Sequence, residues 1–90
     1  MSGIYRIATH VRSSVTEDGG TILDVNSGRY YSLNPIGAAI WNELTAERSK
    51  EQILSNLSNT LGVSSEKLQD DVDAFLSRLV KLGLVDQNLS

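Results

Sequence analysis

The stretch Asp24–Trp41, DVNSGRYYSLNPIGAAIW, contains the junction on which the fold of this chain depends. Its Asn26-Ser27-Gly28 triplet favours a tight turn, because Asn and Gly tolerate the positive φ angles that hairpin turns require. Residues 29–33 (RYYSL) have the aromatic content of a short strand. Asn34-Pro35 then predicts a helix start, since Asn can accept from a free N–H group and Pro has no N–H to leave unpaired. The stretch therefore joins the last strand of a small sheet to the first helix.

Length and composition predict a single soluble domain. The chain has 90 residues, 40% of them hydrophobic, and a domain of this size buries roughly two-thirds of its unfolded surface. We expect one domain over residues 1–90, with a core over about residues 4–85 and a short polar tail at 86–90. The absence of cysteine from the sequence excludes disulfides and thiolate sites. Because the sequence shows no signal peptide and no long apolar run, we expect a cytoplasmic protein without membrane contact.

Three strands are predicted before the first helix. Residues 4–12 (IYRIATHVR) combine β-branched and aromatic residues with partial alternation, which predicts the first strand. Residues 13–20 (SSVTEDGG) are interpreted as a polar loop, and residues 21–25 (TILDV) as a second strand that the turn joins to the third. The expected sheet has at most three short strands, and one edge has free backbone groups unless another element covers it.

Helical spacing predicts three helices. The first covers residues 35–45, the second covers residues 50–61, and the third begins after a cap at Ser64 or Ser65 and continues to about residue 82. The second begins with a capping box, in which Ser49 caps the helix and Gln52 follows three residues later. Glycines at positions 62 and 83 follow the last two helices, as left-handed residues often do. Three strands followed by three helices indicate an α+β domain.

Each predicted helix has an apolar stripe. The stripes comprise Ile36, Ile40, Trp41 and Leu44; Ile53, Leu57 and Leu61; and Leu68, Val72, Phe75, Leu76, Leu79 and Leu82. The third stripe, on a helix capped by Ser64 or Ser65, is wider than one neighbouring element needs. It either packs on both earlier helices or forms one wall of a groove for an extended peptide, and the pattern alone does not choose between them. Leu84-Val85 is expected to return to the core.

Candidate catalytic residues are scarce. His10 is the only histidine and lies in a predicted strand without a nucleophile beside it. Asp70, Asp71 and Asp73 cluster on the third helix, but a solvated face is favoured over a metal site, because a divalent cation needs more converging oxygen ligands. Asp18-Gly19-Gly20 precedes a strand, whereas phosphate-binding loops follow one and open a helix. We therefore expect no catalytic residue, no metal and no cofactor.

The charge pattern disfavours nucleic-acid binding. The formal net charge is −3, and the eight Lys and Arg residues are scattered along the sequence. A winged-helix DNA-binding regulator would need a basic recognition helix. The third helix instead begins with an acidic half that would repel phosphate, containing Glu66, Asp70, Asp71 and Asp73.

Two motifs resemble the PqqD-like family. One is D-x-x-S-G-R-Y-Y-x-L-N-x-x-G-x-x-I-W, over residues 24–41, and the other is D-V-x-x-F-L-x-x-L-x-x-x-G-L-V, over residues 71–85. The resemblance covers about residues 11–85. Members of this family are RiPP recognition elements, which bind the leader portion of ribosomally made precursor peptides and present it to modifying enzymes. The resemblance implies a winged helix-turn-helix-like fold, with a three-stranded antiparallel sheet followed by three helices.

The resemblance also implies a function and partners. The segments GRYY and NPIGAAIW are most similar to the corresponding segments of the stand-alone leader-binding proteins of lasso peptide biosynthesis. Those proteins work with a separate leader peptidase. A PqqD-type chaperone that presents a precursor to a radical-SAM enzyme is the alternative, although its version of the stretch typically lacks the Tyr-Tyr pair and the Trp. The chain would be a non-catalytic adaptor. Its open strand edge could also form a homodimer.

The family resemblance places leader contacts on one strand and one helix. In the family, the peptide adds antiparallel to the third strand and lies against the third helix. The implied leader-binding residues are Arg29, Tyr30, Tyr31, Ser32 and Leu33 on the strand, and Asp71, Val72, Phe75, Arg78 and Leu79 on the helix. Val72, Phe75 and Leu79 are at least as compatible with a place in the core as with leader contact. Alternation along the strand does not decide which tyrosine borders the groove. Trp41 is expected in the core.

Overall fold

The structure is a computed structural model and describes residues 4–88. The described residues form five strands and three helices. In chain order these are β1 (Ile4–Ile7), β2 (Val11–Thr16), β3 (Gly19–Asp24), β4 (Arg29–Leu33), α1 (Pro35–Thr45), α2 (Lys50–Leu61), α3 (Ser65–Lys81) and β5 (Val85–Asn88). Within this part of the chain, no helix is both long and apolar enough to cross a membrane.

The strands form two small antiparallel sheets. One has the order β2-β3-β4, and the other pairs β1 with β5. The expected α+β fold is confirmed, because a three-stranded antiparallel sheet precedes three helices. The β1–β5 pair is an addition that the sequence did not predict.

Two predictions about the first twenty residues were wrong. The strand predicted over 4–12 is two strands, because the chain turns where the Ala8 N–H donates to the Leu84 C=O and the Val11 N–H donates to the Ala8 C=O. The loop predicted over 13–20 is mostly strand, with Thr16 paired to Gly19 across a two-residue turn. The sequence did not predict this hairpin, because β2 is an edge strand whose side chains are largely exposed and mostly polar.

The predicted polar tail also needs correction. Residues 86–88 continue β5 and pair with β1, from Ile7↔Val85 to Ile4↔Asn88. This pairing is made by backbone groups, so the polar composition of the segment does not prevent it. Residues 89 and 90 lie outside the described part of the chain.

The helix boundaries follow the predicted capping signals. The Asn34 side chain accepts from the Gly37 N–H at 2.7 Å, and the capping box of Ser49 and Gln52 is present at the start of α2. Of the two candidate caps for α3, Ser64 is the one that accepts from the first turn. Gly62 follows α2 with φ 69°. These interactions satisfy free backbone N–H and C=O groups at the helix ends. Their partners are only a few residues apart, so the sequence could predict them.

The core lies between the sheets and the helices. Trp41 is fully buried, and Leu84 and Val85 return to the core as expected. Three residues of the predicted stripes are instead partly exposed, namely Ile36 (41%), Leu61 (39%) and Leu82 (36%). Each lies at a helix end, beyond the packing that covers the middle of its stripe.

Glu47 has a left-handed backbone that glycine would adopt at lower cost. It follows the end of α1 with φ 57°, and its N–H donates to the Leu44 C=O at 2.9 Å. We expect Glu47→Gly to raise the free energy of unfolding by about 1 kcal/mol, because a side chain disfavours this conformation. Urea unfolding, followed by the fluorescence of Trp41, measures the change. Glu47→Ala keeps the strain and is the control, so equal midpoints for the two variants would refute the explanation.

Candidate functional site

One edge of the three-stranded sheet, formed by β4, has backbone groups that pair with no other part of residues 4–88. The Val25 N–H donates to the His10 C=O at 2.9 Å, which sets the phase of the alternating hydrogen bonds across the sheet. In that phase, the odd-numbered residues of β4 bond to β3. The N–H and C=O groups of Tyr30 and Ser32 therefore point away from the sheet. These groups can receive another strand.

The two tyrosines of β4 lie on opposite faces of the sheet. Tyr31 is directly opposite the buried Ile22 and packs against the core, on the same face as Leu33. Tyr30 lies on the other face and is 70% exposed. Tyr31 is thus the tyrosine whose side chain lies on the helix side of β4, which alternation in the sequence alone could not decide.

A groove runs between β4 and α3. It consists of two adjoining cavities, of about 410 Å³ and 320 Å³, that share Ser32, Leu33, Phe75 and Arg78. The larger, here the Asp71 cavity, is otherwise lined by Asn34, Ile36, Gly37, Ile40 and Asp71. The smaller, here the Leu82 cavity, is otherwise lined by Ile22, Tyr30, Tyr31, Leu79, Leu82 and Leu84. The groove follows the open edge of the sheet, so one occupant can contact both.

The structure brings together eight of the ten predicted site residues. Tyr30, Tyr31, Ser32, Leu33, Asp71, Phe75, Arg78 and Leu79 line one or both cavities. Arg29 is exposed at the start of β4 but lines neither cavity. Val72 is only 1% exposed and belongs to the core, because its side of α3 faces the interior.

Several groove residues were not predicted from the sequence. Ile36 and Leu82 were placed on apolar helix stripes and not among the leader-binding residues, yet both are partly exposed and each lines one of the cavities. Gly37 is the one residue with a usable signal, since a glycine inside a predicted helix often marks a close approach. A Cβ at Gly37 would lie 3.4 Å from the ring of Phe75. The glycine thus leaves space for the aromatic side chain that both cavities share.

Asp24 stabilises the turn that leads into β4. Its carboxylate accepts from the Asn26 N–H at 2.9 Å and from the Ser27 N–H at 3.2 Å. Burial alone would raise the pKa of Asp24, but the hydrogen bonds from Ser27 and Asn26 and the nearby His10 lower it below the ordinary value of 3.8. His10 Nε2 lies 3.8 Å from Asp24 Oδ1. The position of the groove's strand thus depends on a charged side chain.

This arrangement makes stability depend on pH through Asp24. A lowered pKa in the folded state means that the contribution is present above about pH 3.8 and is lost as the pH falls through the folded value. We expect Asp24→Asn to be less stable than the unmodified protein at pH 6, and the difference to shrink by pH 3. Urea midpoints at the two pH values measure it. A difference that stays constant with pH would contradict the assignment.

The acidic cluster of α3 does not act as a unit. Asp73 pairs with Lys50 at the start of α2, and the hydrogen bond from Lys50 to Asp73 raises the pKa of Lys50. Asp71 faces the groove instead. Over the described residues, no group of three or more His, Asp or Glu side chains is placed to hold a metal ion. Asp73 therefore links two helices rather than joining its neighbours in a site.

Similar structures place the fold among the RiPP recognition elements. One, described as "TbiB1 in Complex with the TbiA(beta) Leader Peptide", matches with a TM-score of 0.84 and 25% identity, over 90% of this chain and 94% of that chain. Another, "Lasso peptide synthetase B1 complexed with the leader peptide", matches with a TM-score of 0.81 and 24% identity, over 91% of this chain and 96% of that chain. The fold and the motifs are those of a RiPP recognition element.

The chain belongs to the PqqD family. The family model described as "Coenzyme PQQ synthesis protein D (PqqD)" matches residues 19–85, which include β3, β4 and all three helices. No curated protein has a significantly similar sequence. The resemblance inferred from the two motifs is confirmed.

Proposed function

We propose that this protein is a non-catalytic adaptor that binds the leader of a ribosomally made precursor peptide. The observation that carries the proposal is the coincidence of an open strand edge with a groove. Tyr30 and Ser32 direct backbone groups outward at the point where β4 borders both cavities. A strand added at this edge would place alternate side chains in the groove.

The groove can supply both affinity and selection. Two residues of β4 direct four backbone groups outward, and each hydrogen bond contributes about 0.5–1.5 kcal/mol net. Such bonds do not depend on the peptide sequence. Selection would come from the apolar cavity walls, where Ile36, Phe75 and Leu82 retain exposed surface for apolar side chains of the peptide.

The directions of β4 and α3 along the groove determine where each end of an antiparallel peptide, as the family resemblance implies, would lie. Asn34 and Asp71 line only the Asp71 cavity, whereas Tyr30 and Leu82 line only the Leu82 cavity. The two elements therefore run in opposite directions along the groove. A leader antiparallel to β4 would place its N-terminal part in the Asp71 cavity and its C-terminal part in the Leu82 cavity.

The proposed product class is a lasso peptide. Both similar structures are described as leader-peptide complexes, and one of them is described as a lasso peptide synthetase. The Tyr-Tyr pair and Trp41 agree with that branch. In this proposal the protein presents the leader to a separate leader peptidase. The alternative is a PqqD-type chaperone that serves a radical-SAM enzyme. The family match is compatible with this alternative.

Fluorescence anisotropy of labelled peptides tests the proposal. The panel contains lasso-type leaders, one quinone-precursor peptide, a scrambled leader and a labelled DNA duplex. We expect saturable binding of a lasso-type leader in the micromolar range or tighter, and none to the scrambled peptide or the duplex. Binding of the quinone precursor alone would favour the alternative branch. Salt-sensitive binding of the duplex without any leader binding would overturn the proposal in favour of a nucleic-acid binder.

The open edge also offers a surface for self-association that would compete with the leader. A second copy pairing through β4 would use the same outward groups of Tyr30 and Ser32. Sedimentation at several protein concentrations, with and without a bound leader, measures this. We expect any dimer to dissociate when leader is added, and a dimer that persists with leader bound would place its interface elsewhere.

A further inference from the structure

Two unpartnered charges of opposite sign line the groove on α3. Asp71 lines the Asp71 cavity, and Arg78 lines both cavities. Both side chains belong to exposed residues. Within residues 4–88, neither forms a hydrogen bond or an ion pair, whereas the nearby Asp73 is paired with Lys50. The α3 wall of the groove, otherwise formed by the apolar Phe75 and Leu79, thus has a free negative charge and a free positive charge.

Compensation of the helix dipole accounts for Arg78 but not for Asp71. Acidic residues near a helix start and basic residues near its end are favourable, and Glu66, Arg78 and Lys81 of α3 fit that rule. The effect falls off beyond the first or last turn. Asp71 lies beyond the first turn of α3, so the dipole gives little reason for a carboxylate there.

The order of the two charges along the groove is fixed by the fold. They are seven positions apart on α3, which corresponds to about 10 Å along a helix axis. An extended strand covers that distance in about three residues, so two groove-facing side chains roughly two to four positions apart would meet the two charges. Because the peptide would run parallel to α3, its more N-terminal side chain would meet Asp71.

We infer that Asp71 and Arg78 select the leader by charge, which deepens the proposed function and rests on it. The preferred peptide has a basic or donor side chain in the Asp71 cavity and an acidic side chain a few residues later, beside Arg78. The apolar walls hold the side chains between them. A peptide with the reversed charge order meets like charges at both places.

Selection from a random peptide library tests this inference and does not require the sequence of the leader. The library is displayed against the unmodified protein, Arg78→Glu and Asp71→Lys. Two controls make the same charge changes on α3 outside both cavities, Lys81→Glu and Asp70→Lys. Circular dichroism confirms that each variant is folded. Selected peptides are then resynthesised with single charge reversals, and their Kd values are measured at low and high salt.

The expected result is a charge order that follows the groove. Peptides selected by the unmodified protein and by both controls should have a basic residue before an acidic one. Arg78→Glu should replace the preference for an acidic peptide residue beside position 78 by a preference for a basic one. Asp71→Lys should replace the preference for a basic peptide residue in the Asp71 cavity by a preference for an acidic one. A mismatched charge should raise Kd about threefold to tenfold at low salt, and less at high salt.

Two results overturn the inference in distinguishable ways. Identical charge preferences in the unmodified protein and Arg78→Glu, with peptides still selected, would overturn the charge selection and leave peptide binding intact. Failure of the unmodified protein to enrich any peptide over background would overturn the proposed function, and the charge selection with it.

Discussion

Replacing Ser32 by proline should raise the Kd for a leader peptide at least about tenfold while leaving the domain folded. The Ser32 N–H points away from β3, so its loss removes no bond within the sheet. Proline is tolerated on an edge strand when its N–H side faces solvent. An added strand would lose one hydrogen bond, of about 0.5–1.5 kcal/mol, and would also meet the proline ring.

Two controls make this experiment specific. Ser32→Ala removes the hydroxyl and keeps the backbone donor, so its Kd should stay within about twofold of the unmodified value. Ser13→Pro makes the same chemical change on β2, the other edge of the sheet, where the phase of the ladder also directs the N–H outward. If Ser13→Pro and Ser32→Pro weaken binding equally, the leader does not add to β4.

Replacing Gly19 by alanine should destabilise the domain by about 2–4 kcal/mol. Gly19 has φ 137°, which side chains rarely permit, and a Cβ there would lie 2.5 Å from the Leu33 carbonyl oxygen. That oxygen belongs to the end of β4, so relief of the clash would displace the strand that borders the groove. For a small domain with roughly 5–15 kcal/mol of stability, the loss is a large fraction.

Gly28→Ala separates the clash from the backbone strain. Gly28 also has a positive φ, of 75°, but a Cβ there would have no atom within 4 Å. We expect this variant to lose only about 1 kcal/mol. Urea unfolding followed by Trp41 fluorescence measures both variants, since Trp41 is fully buried when the protein is folded. Similar losses for both glycines would show that crowding against Leu33 is not the cause.

Local signals in the sequence determined most of the helical part of the fold. Asn34, the Ser49–Gln52 capping box and Gly62 act on groups within a few residues, so the boundaries of α1 and α2 could be predicted from them. The strand β4 was predicted for the same reason, since the turn before it and the helix start after it are both local. The motifs over residues 24–41 and 71–85 were sufficient to indicate the family.

Pairing between distant segments was decided only by the tertiary structure. β5 exists because the backbone of residues 85–88 pairs with β1, about eighty positions earlier. No local sequence pattern indicates which distant segment will pair with these residues. The β2–β3 hairpin was missed because an exposed edge strand needs few apolar residues. The same limit applies to burial, since Val72 and Phe75 belong to one stripe in sequence yet only Phe75 reaches the groove.

The sequence by itself determined the three helices, the strand β4 and the family, and the family resemblance indicated the two elements that border the candidate site. The tertiary structure decided the phase of the β4 hydrogen bonds, the face of each tyrosine and the isolation of Asp71 and Arg78 along the groove. The physical reason is the distance along the chain between the residues that interact. Caps, turns and periodicity depend on neighbours in the chain, whereas an open edge and an unpaired charge depend on which distant elements pack nearby.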